Sequence, residues 1–343
     1  MFTVNYLWLL EINLKISNFL CCTPFSFDVT KKRVVRLSSV RKIRFYKFQC
    51  LLALLYCTAL FTNLCLGPLT ILQKLQGFPF FALYMGEVVL WWNLDLDPTY
   101  MQIINSILSL EQRSYLREVG PTPCSTRTKR MEQFIEVLAI TGFLVPILQF
   151  LLLQNRPCTP PYIMSMFSEC DVKIDTLKLL QLGVAAFESW MALYISVAAS
   201  SSCCFAFFAP IECLITKISE VQLPEEICDG IQFYKTIFTL EKTMNKILQY
   251  RMVPVVIISL PTIQIMTQYV SIKLHSEIPM PGFLMYPILC VDCIICGVLI
   301  FTISAWVNTE SERVLRSMKV KLAQIRGNKR LAERLLVSCG AMK

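Results

Sequence analysis

His275 is the only histidine among 343 residues. Imidazole is the commonest metal ligand and the usual general base at neutral pH. Intramembrane hydrolases, desaturases and many acyltransferases use several histidines or a His–Asp pair, so this shortage argues against an enzyme. Glycine is sparse too: eleven residues, scattered, with no loop that could cradle a phosphate. Charge is the third shortage. Asp, Glu, Lys and Arg make up 17% of the chain against 55% hydrophobic residues, and mean hydropathy is +0.54. A soluble domain has too little interior to hide that much apolar surface. What the composition does fit is an all-α membrane protein, and no cofactor site is legible in it.

Six apolar stretches are long enough to be read as spans, at about 48–66, 77–92, 133–153, 179–210, 252–274 and 283–306. The segment 77–92 is the shortest, and 179–210 is long enough to tilt or to extend past the bilayer. Basic residues then fall on one side. Segments 1–47 and 307–343 hold nine each, and 93–132 and 210–251 hold five each. The remaining five are Lys74, Arg156, Lys173, Lys178 and Lys273. Cytoplasmic loops retain Lys and Arg, so both termini are expected in the cytosol of a multi-pass cell-membrane protein. The net charge of +9 is laid out along the edges of apolar spans. It suits anionic inner-leaflet lipid, and nucleic acid is not expected as a partner. The expected domains are a cytosolic segment 1–47, a six-span bundle 48–306 and a basic amphipathic tail 307–343. Met1–Leu10 is apolar but lacks a basic flank and is interrupted by Glu11. It reads as an interfacial or packed helix on the cytosolic face and not as a cleaved signal.

Two cytosolic helices are expected from period alone. In 231–251, Phe233, Ile237, Leu240, Met244, Ile247 and Leu248 recur at three- and four-residue steps. In the tail, Val314, Met318, Leu322 and Ile325 do the same. Cys290, Cys293 and Cys296 spell C-x-x-C-x-x-C, but inside an apolar span they turn around a helix and cannot wrap one metal. Cys158 and Cys170 share the outer segment 154–178, where a disulfide is possible.

Glu87, Glu136, Glu188 and Asp292 lie within spans. A carboxylate in hydrocarbon must face the bundle interior, a wet cavity or a partner. Around them stand Tyr84, Gln149, Trp190, Tyr194, Gln264, Gln268, Tyr269 and Tyr286. Aromatic walls with a few polar groups are what a small-molecule pocket needs; interhelical hydrogen bonding and interface anchoring explain single residues equally well. The candidate ligand-binding residues are Trp190, Tyr194, Tyr269, Glu188, Tyr84, Gln268 and Tyr286, between spans 2, 4, 5 and 6. Trp190 and Tyr194, four apart, share a helix face.

The N-in topology and the loop lengths, short outside after spans 1 and 5 and long inside after spans 2, 4 and 6, resemble the arthropod gustatory and odorant receptor superfamily. So do the helix Leu240–Leu248 with its Asn245 and the run Ser311-Glu312-Arg313-Val314-Leu315. The resemblance implies a subunit of a ligand-gated cation channel for a tastant or odorant, assembled as a homo- or hetero-tetramer with related subunits. Gustatory members carry a Thr-Tyr…Gln-Phe signature on a seventh, pore-lining span. The sequence ends before such a span, so a fragment without the pore helix is expected. The rival reading is a secondary transporter, but its inverted repeats would pair a short loop after span 1 with one of about forty residues after span 4. A G-protein-coupled receptor would need its N-terminus outside, against the charge distribution.

Overall fold

The computed structural model describes residues 6–116, 126–167, 175–220, 227–278, 280 and 282–324. A helix stands at the start as expected, α1, Leu7–Leu20, and it is packed on the protein through Leu10, Leu14, Ser17 and Leu20. A two-stranded antiparallel hairpin follows, β1 at Phe25–Asp28 and β2 at Arg33–Arg36. Its turn is closed by Asp28, whose Oδ1 accepts from the Thr30 hydroxyl at 2.6 Å and from the Lys31 amide at 3.1 Å. Those donors, Thr30 first, hold the Asp28 carboxyl below the usual carboxylate range.

The remaining elements are helical. They are α2 (Val40–Leu66), α3 (Ile71–Trp91), α4 (Thr99–Leu116), α5 (Thr126–Asn155), α6 (Asp175–Ser202), α7 (Ala209–Glu220), α8 (Ile227–Ile247), α9 (Val253–Lys273) and α10 (Met285–Gln324). A capping box between Thr70 and Gln73 starts α3. The sheet is tied to α4 by one side chain: Asn105 accepts from the Val34 amide and donates to the Val34 carbonyl, both at 2.8 Å.

Five helices among the described residues are long and apolar enough to cross a membrane: Val40–Leu66, Thr128–Asn155, Lys178–Ser219, Gly230–Lys273 and Gly282–Lys321. The helix α3, over the sixth expected span, is not one of them. It carries Gln73, Lys74, Gln76 and Glu87. It packs against α2, α6 and α9, so protein rather than lipid surrounds much of it.

Two spans run without a break into helices that project from the bundle. A π-helical turn, Cys203–Phe208, joins α6 to α7, and a second, Leu248–Met252, joins α8 to α9. Each π turn is followed within two residues by a proline, Pro210 or Pro254. A π turn already breaks the regular i→i−4 ladder, and proline near a helix start costs no hydrogen bond. That is why Pro210, the expected end of span 4, does not stop the helix. The forty residues of α10 extend about 60 Å and likewise carry the span into the projecting end.

At the projecting end α1, the hairpin, α4, α7, α8 and the last turns of α10 surround one core. It includes Ile104, Ile107, Ile218, Tyr234, Ile237, Met244, Val314 and Met318. The described members of the expected stripes are therefore found, with Tyr234 joining Ile237 and Met244 while Phe233 is only partly buried; the Ile247 and Leu322 side chains lie outside the described residues. Ile325 lies outside the described residues. Trp91 is also buried, donating from Nε1 to the Cys22 carbonyl.

The other end of the bundle is closed by the loop 156–166. Asn63 of α2 donates to the Pro161 carbonyl at 2.8 Å and to the Ser165 hydroxyl at 2.7 Å. Gly77 lets α3 pass the same loop: an added Cβ would stand 3.0 Å from Pro161. Halfway along, Gly86 brings α3 onto α9, where an added Cβ would meet Ser259 Oγ at 3.0 Å and Val255 Cγ1 at 3.4 Å.

These close approaches make two stability predictions. Gly86→Leu should wedge α3 from α9 and destabilise the purified protein by about 1–3 kcal/mol, read as a lowered melting temperature. Gly183→Ala, where nothing lies within 4 Å, should not. Asn63→Ala should cost a similar amount, about 1–3 kcal/mol, because it orphans buried loop groups. An unchanged melting temperature in either would refute the assigned contact.

Candidate functional site

Polar groups gather in two adjoining places inside the bundle. The first is an aromatic cluster beneath the loop 156–166. Tyr56 of α2 tilts against Tyr84 of α3 with centroids 6.0 Å apart, and meets Phe187 of α6 edge-on, also at 6.0 Å. Phe80, one turn before Tyr84, packs on Tyr286 of α10 at 5.2 Å and on Tyr162 of the loop at 6.1 Å. The Tyr84 hydroxyl donates to Gln149 Oε1 at 2.5 Å, and the Tyr286 hydroxyl donates to the Gln76 carbonyl at 3.1 Å. Glu188 is fully buried, and its Oε1 accepts from the Ile163 amide at 2.5 Å. Among the described residues, Gln149 Nε2, Glu188 Oε2 and the Tyr56 hydroxyl have no hydrogen-bond partner. Interiors seldom leave such groups unpaired, so these call for a function or a guest.

The second place is a cavity of about 160 Å³ that begins one turn further along α3. Leu83, Gly86, Glu87 and Leu90 of α3 form one wall. Thr141, Gly142 and Val145 of α5 and Ser196 and Ser200 of α6 form the next. Ser259 and Leu260 of α9, with Asp292, Cys293 and Cys296 of α10, complete it. Small residues make the space. A Cβ added at Gly142 would touch nothing within 4 Å. Glu87 Oε2 has no hydrogen bond, and Asp292 has the Thr141 hydroxyl beside it. Volume, apolar walls and a few convergent polar groups are the ordinary features of a small-molecule site.

The structure brings together three of the candidate residues from the sequence, Tyr84, Glu188 and Tyr286, in the aromatic cluster. Tyr194 is buried elsewhere, against α1 and α2: its hydroxyl lies 3.7 Å from Cys50 Sγ, and its carbonyl accepts from Cys22 Sγ at 3.6 Å. Trp190 is 40% exposed and Tyr269 44%, which puts both on the outer surface of the bundle, as is Gln268. The ring pair Trp190/Tyr194 is thus split across the boundary between interior and surroundings. Cys158 is disulfide-bonded, and Cys170 lies outside the described residues. Cys290, Cys293 and Cys296 are free thiols, and among the described residues no three metal-binding side chains gather. Sequence reasoning named Glu87 and Asp292 as buried acids but did not place them together. Gly142 and Ser196 went unnoticed, and Ser200 was read only as one of the small residues 198–202 suited to close helix packing, although one glycine amid large apolar residues in the middle of α5 is a visible sign of space.

No family model matches the chain, and no curated protein matches it. Solved structures do. The insect olfactory receptor OR5 from Machilis hrabei aligns over 97% of this chain and 88% of its own, with a TM-score of 0.64 and 14% sequence identity. The same receptor in complex with eugenol aligns over the same shares with a TM-score of 0.66 and 14% identity. At that identity the likeness is one of fold, and the chain has the helical membrane fold of an insect olfactory receptor.

Proposed function

We propose that the chain is a chemosensory receptor that takes a small odorant or tastant inside its helical bundle, as a subunit of a ligand-gated cation channel. The observation that carries this reading is the cavity between α3, α5, α6, α9 and α10 in a chain with an olfactory-receptor fold. The aromatic cluster next to it shares Tyr84's helix with the cavity wall. It is the second surface a ligand would meet. Binding there bears on the spacing of α3, α6 and α10. Those helices continue into the projecting core or pack on helices that do, so occupancy at one end has a mechanical route to the other. In this reading the projecting end is cytosolic, the loop 156–166 is outside, Cys158 pairs with Cys170, and subunits assemble as a tetramer.

Eugenol is a suitable first probe because the neighbouring fold holds it. With the full chain in lipid nanodiscs, eugenol or a small aromatic alcohol should raise the melting temperature in a saturable way. Gly142→Leu should fill the cavity and weaken that binding at least ten-fold, about 1.4 kcal/mol, without lowering the melting temperature of the empty protein. If no probe of this size and kind binds, or if Gly142→Leu binds as the wild type does, the cavity is packing space and the reading fails. Solute uptake driven by an ion gradient would favour a transporter instead.

Orientation has its own test. An epitope inserted at Lys173 should be labelled on intact cells, and tags at either terminus only after permeabilisation. Surface labelling of the N-terminal tag would overturn the N-in arrangement.

A further inference from the structure

The cavity has a charge signature that the function above does not use. Two of its lining side chains are acids, Glu87 and Asp292, and none is a Lys, Arg or His. The five lining helices carry no basic residue anywhere near it. Residues 75–91, 131–155, 179–216, 252–272 and 285–312 contain none at all. Glu87 Oε2 is buried and makes no hydrogen bond. A carboxylate withdrawn from water is costly unless a cation or hydrogen-bond donors meet it. Nothing in the described protein supplies the cation.

We propose that the ligand of this cavity is a protonated amine with a small apolar body, its ammonium group seated between Glu87 and Asp292. This rests on the reading of the cavity as the ligand site and names the ligand's class. A primary ammonium has three donors and no acceptor. The two carboxyls and the neighbouring hydroxyls of Ser259 or Thr141 offer acceptors to match. The rest of the wall is apolar: Leu83, Leu90, Val145, Leu260, Ile263 and Leu289 would hold a ring or a short alkyl chain. A bare inorganic cation fits less well. The cavity's 160 Å³ far exceeds the roughly 30 Å³ that one water occupies, and most of its wall offers an ion no oxygen. Glu87 also borders a smaller void of about 20 Å³ beside Cys50, Trp91 and Tyr194, so its carboxyl stands between the ligand space and the α2 side of the bundle.

Paired probes of one shape test this. The full chain in zwitterionic nanodiscs is titrated calorimetrically with 2-phenylethylamine, with its neutral isostere 2-phenylethanol, and with potassium chloride alone. The amine should bind at least ten-fold tighter than the alcohol, as expected for a charge-assisted hydrogen bond out of water. Glu87→Gln, which keeps the shape, should bring the amine to the alcohol's affinity and leave the alcohol's unchanged. Asp292→Asn should weaken the amine in the same direction. Equal affinities for the two probes in the wild type would overturn the amine while leaving a ligand cavity in place, since both would still bind. Binding of potassium with the same heat and the same Glu87 dependence would make this an inorganic cation site and would also overturn it. Failure of both probes and of eugenol would sink the cavity reading and the amine together. Should Glu87→Gln not fold, the wild-type ratio and the Asp292→Asn response still decide.

Discussion

The enclosure of the second half of α6, from Met191 onward, is the constraint on which the rest of the molecule depends. The most apolar stretch of the continuous helix Lys178–Ser219 is 82% buried, against 17% for that of Gly230–Lys273 and 22% for that of Gly282–Lys321. A helix surrounded by other helices cannot be held there by hydrophobicity alone, since lipid is as apolar as leucine. Close packing has to do it. The run Ala198-Ala199-Ser200-Ser201-Ser202 supplies the small side chains, and Ala198, Ser201 and Ser202 are buried. Because α6 is central, each stretch of it faces a different feature. Glu188 closes the aromatic cluster, Ser196 and Ser200 line the cavity, and Phe205, Phe207 and Phe208 enter the projecting core.

The two π turns give that continuity its form. A helix interrupted by a loop could not carry a displacement from one end to the other. A regular helix through Pro210 or Pro254 would lose a ladder hydrogen bond and clash with the preceding turn. Placing a π turn just before each proline keeps the chain helical where the bundle meets the projecting core. Both turns sit beside the same core, with Phe205 and Phe208 from one and Leu248 and Met252 from the other. The cavity reaches this region as well, since Cys203 and Phe208 line its far side.

What the sequence made legible follows from what period and charge can encode. Val314 and Met318 were visible as a stripe, and they are buried at 1% and 7%. Apolar length disclosed the spans, and it also marked 77–92 as one, although α3 with its Gln73, Lys74 and Glu87 is not among the helices long and apolar enough to cross a membrane. The hairpin was not visible. Each strand is four residues long, and it is held by Asn105, which is 71 residues from Val34. Trp190 and Tyr194 show the limit of helical spacing. Four residues differ by about 40° on a helix, enough to put one ring outside the bundle and the other inside. Spacing says that two residues are neighbours. It does not say where the boundary between lipid and protein falls.

The cavity was hidden for a different reason: it is made by what is missing. At Gly142 a side chain would have room, and at Gly86 it would not, yet the two letters are the same. Only the tertiary arrangement separates a glycine that lets helices touch from one that keeps them apart. The same asymmetry bears on the acids. Glu188 is buried with one oxygen satisfied by the Ile163 amide and reads as a strut between α6 and the loop. Glu87 faces a void with an oxygen unmet. An unmet buried carboxyl lowers the stability of the empty protein, and a fold optimised only for packing would replace it with leucine. Its position at the wall of a cavity, on helix segments that carry no basic residue near it, ties that cost to recognition: stability lost in the empty state is regained only when a complementary guest is bound.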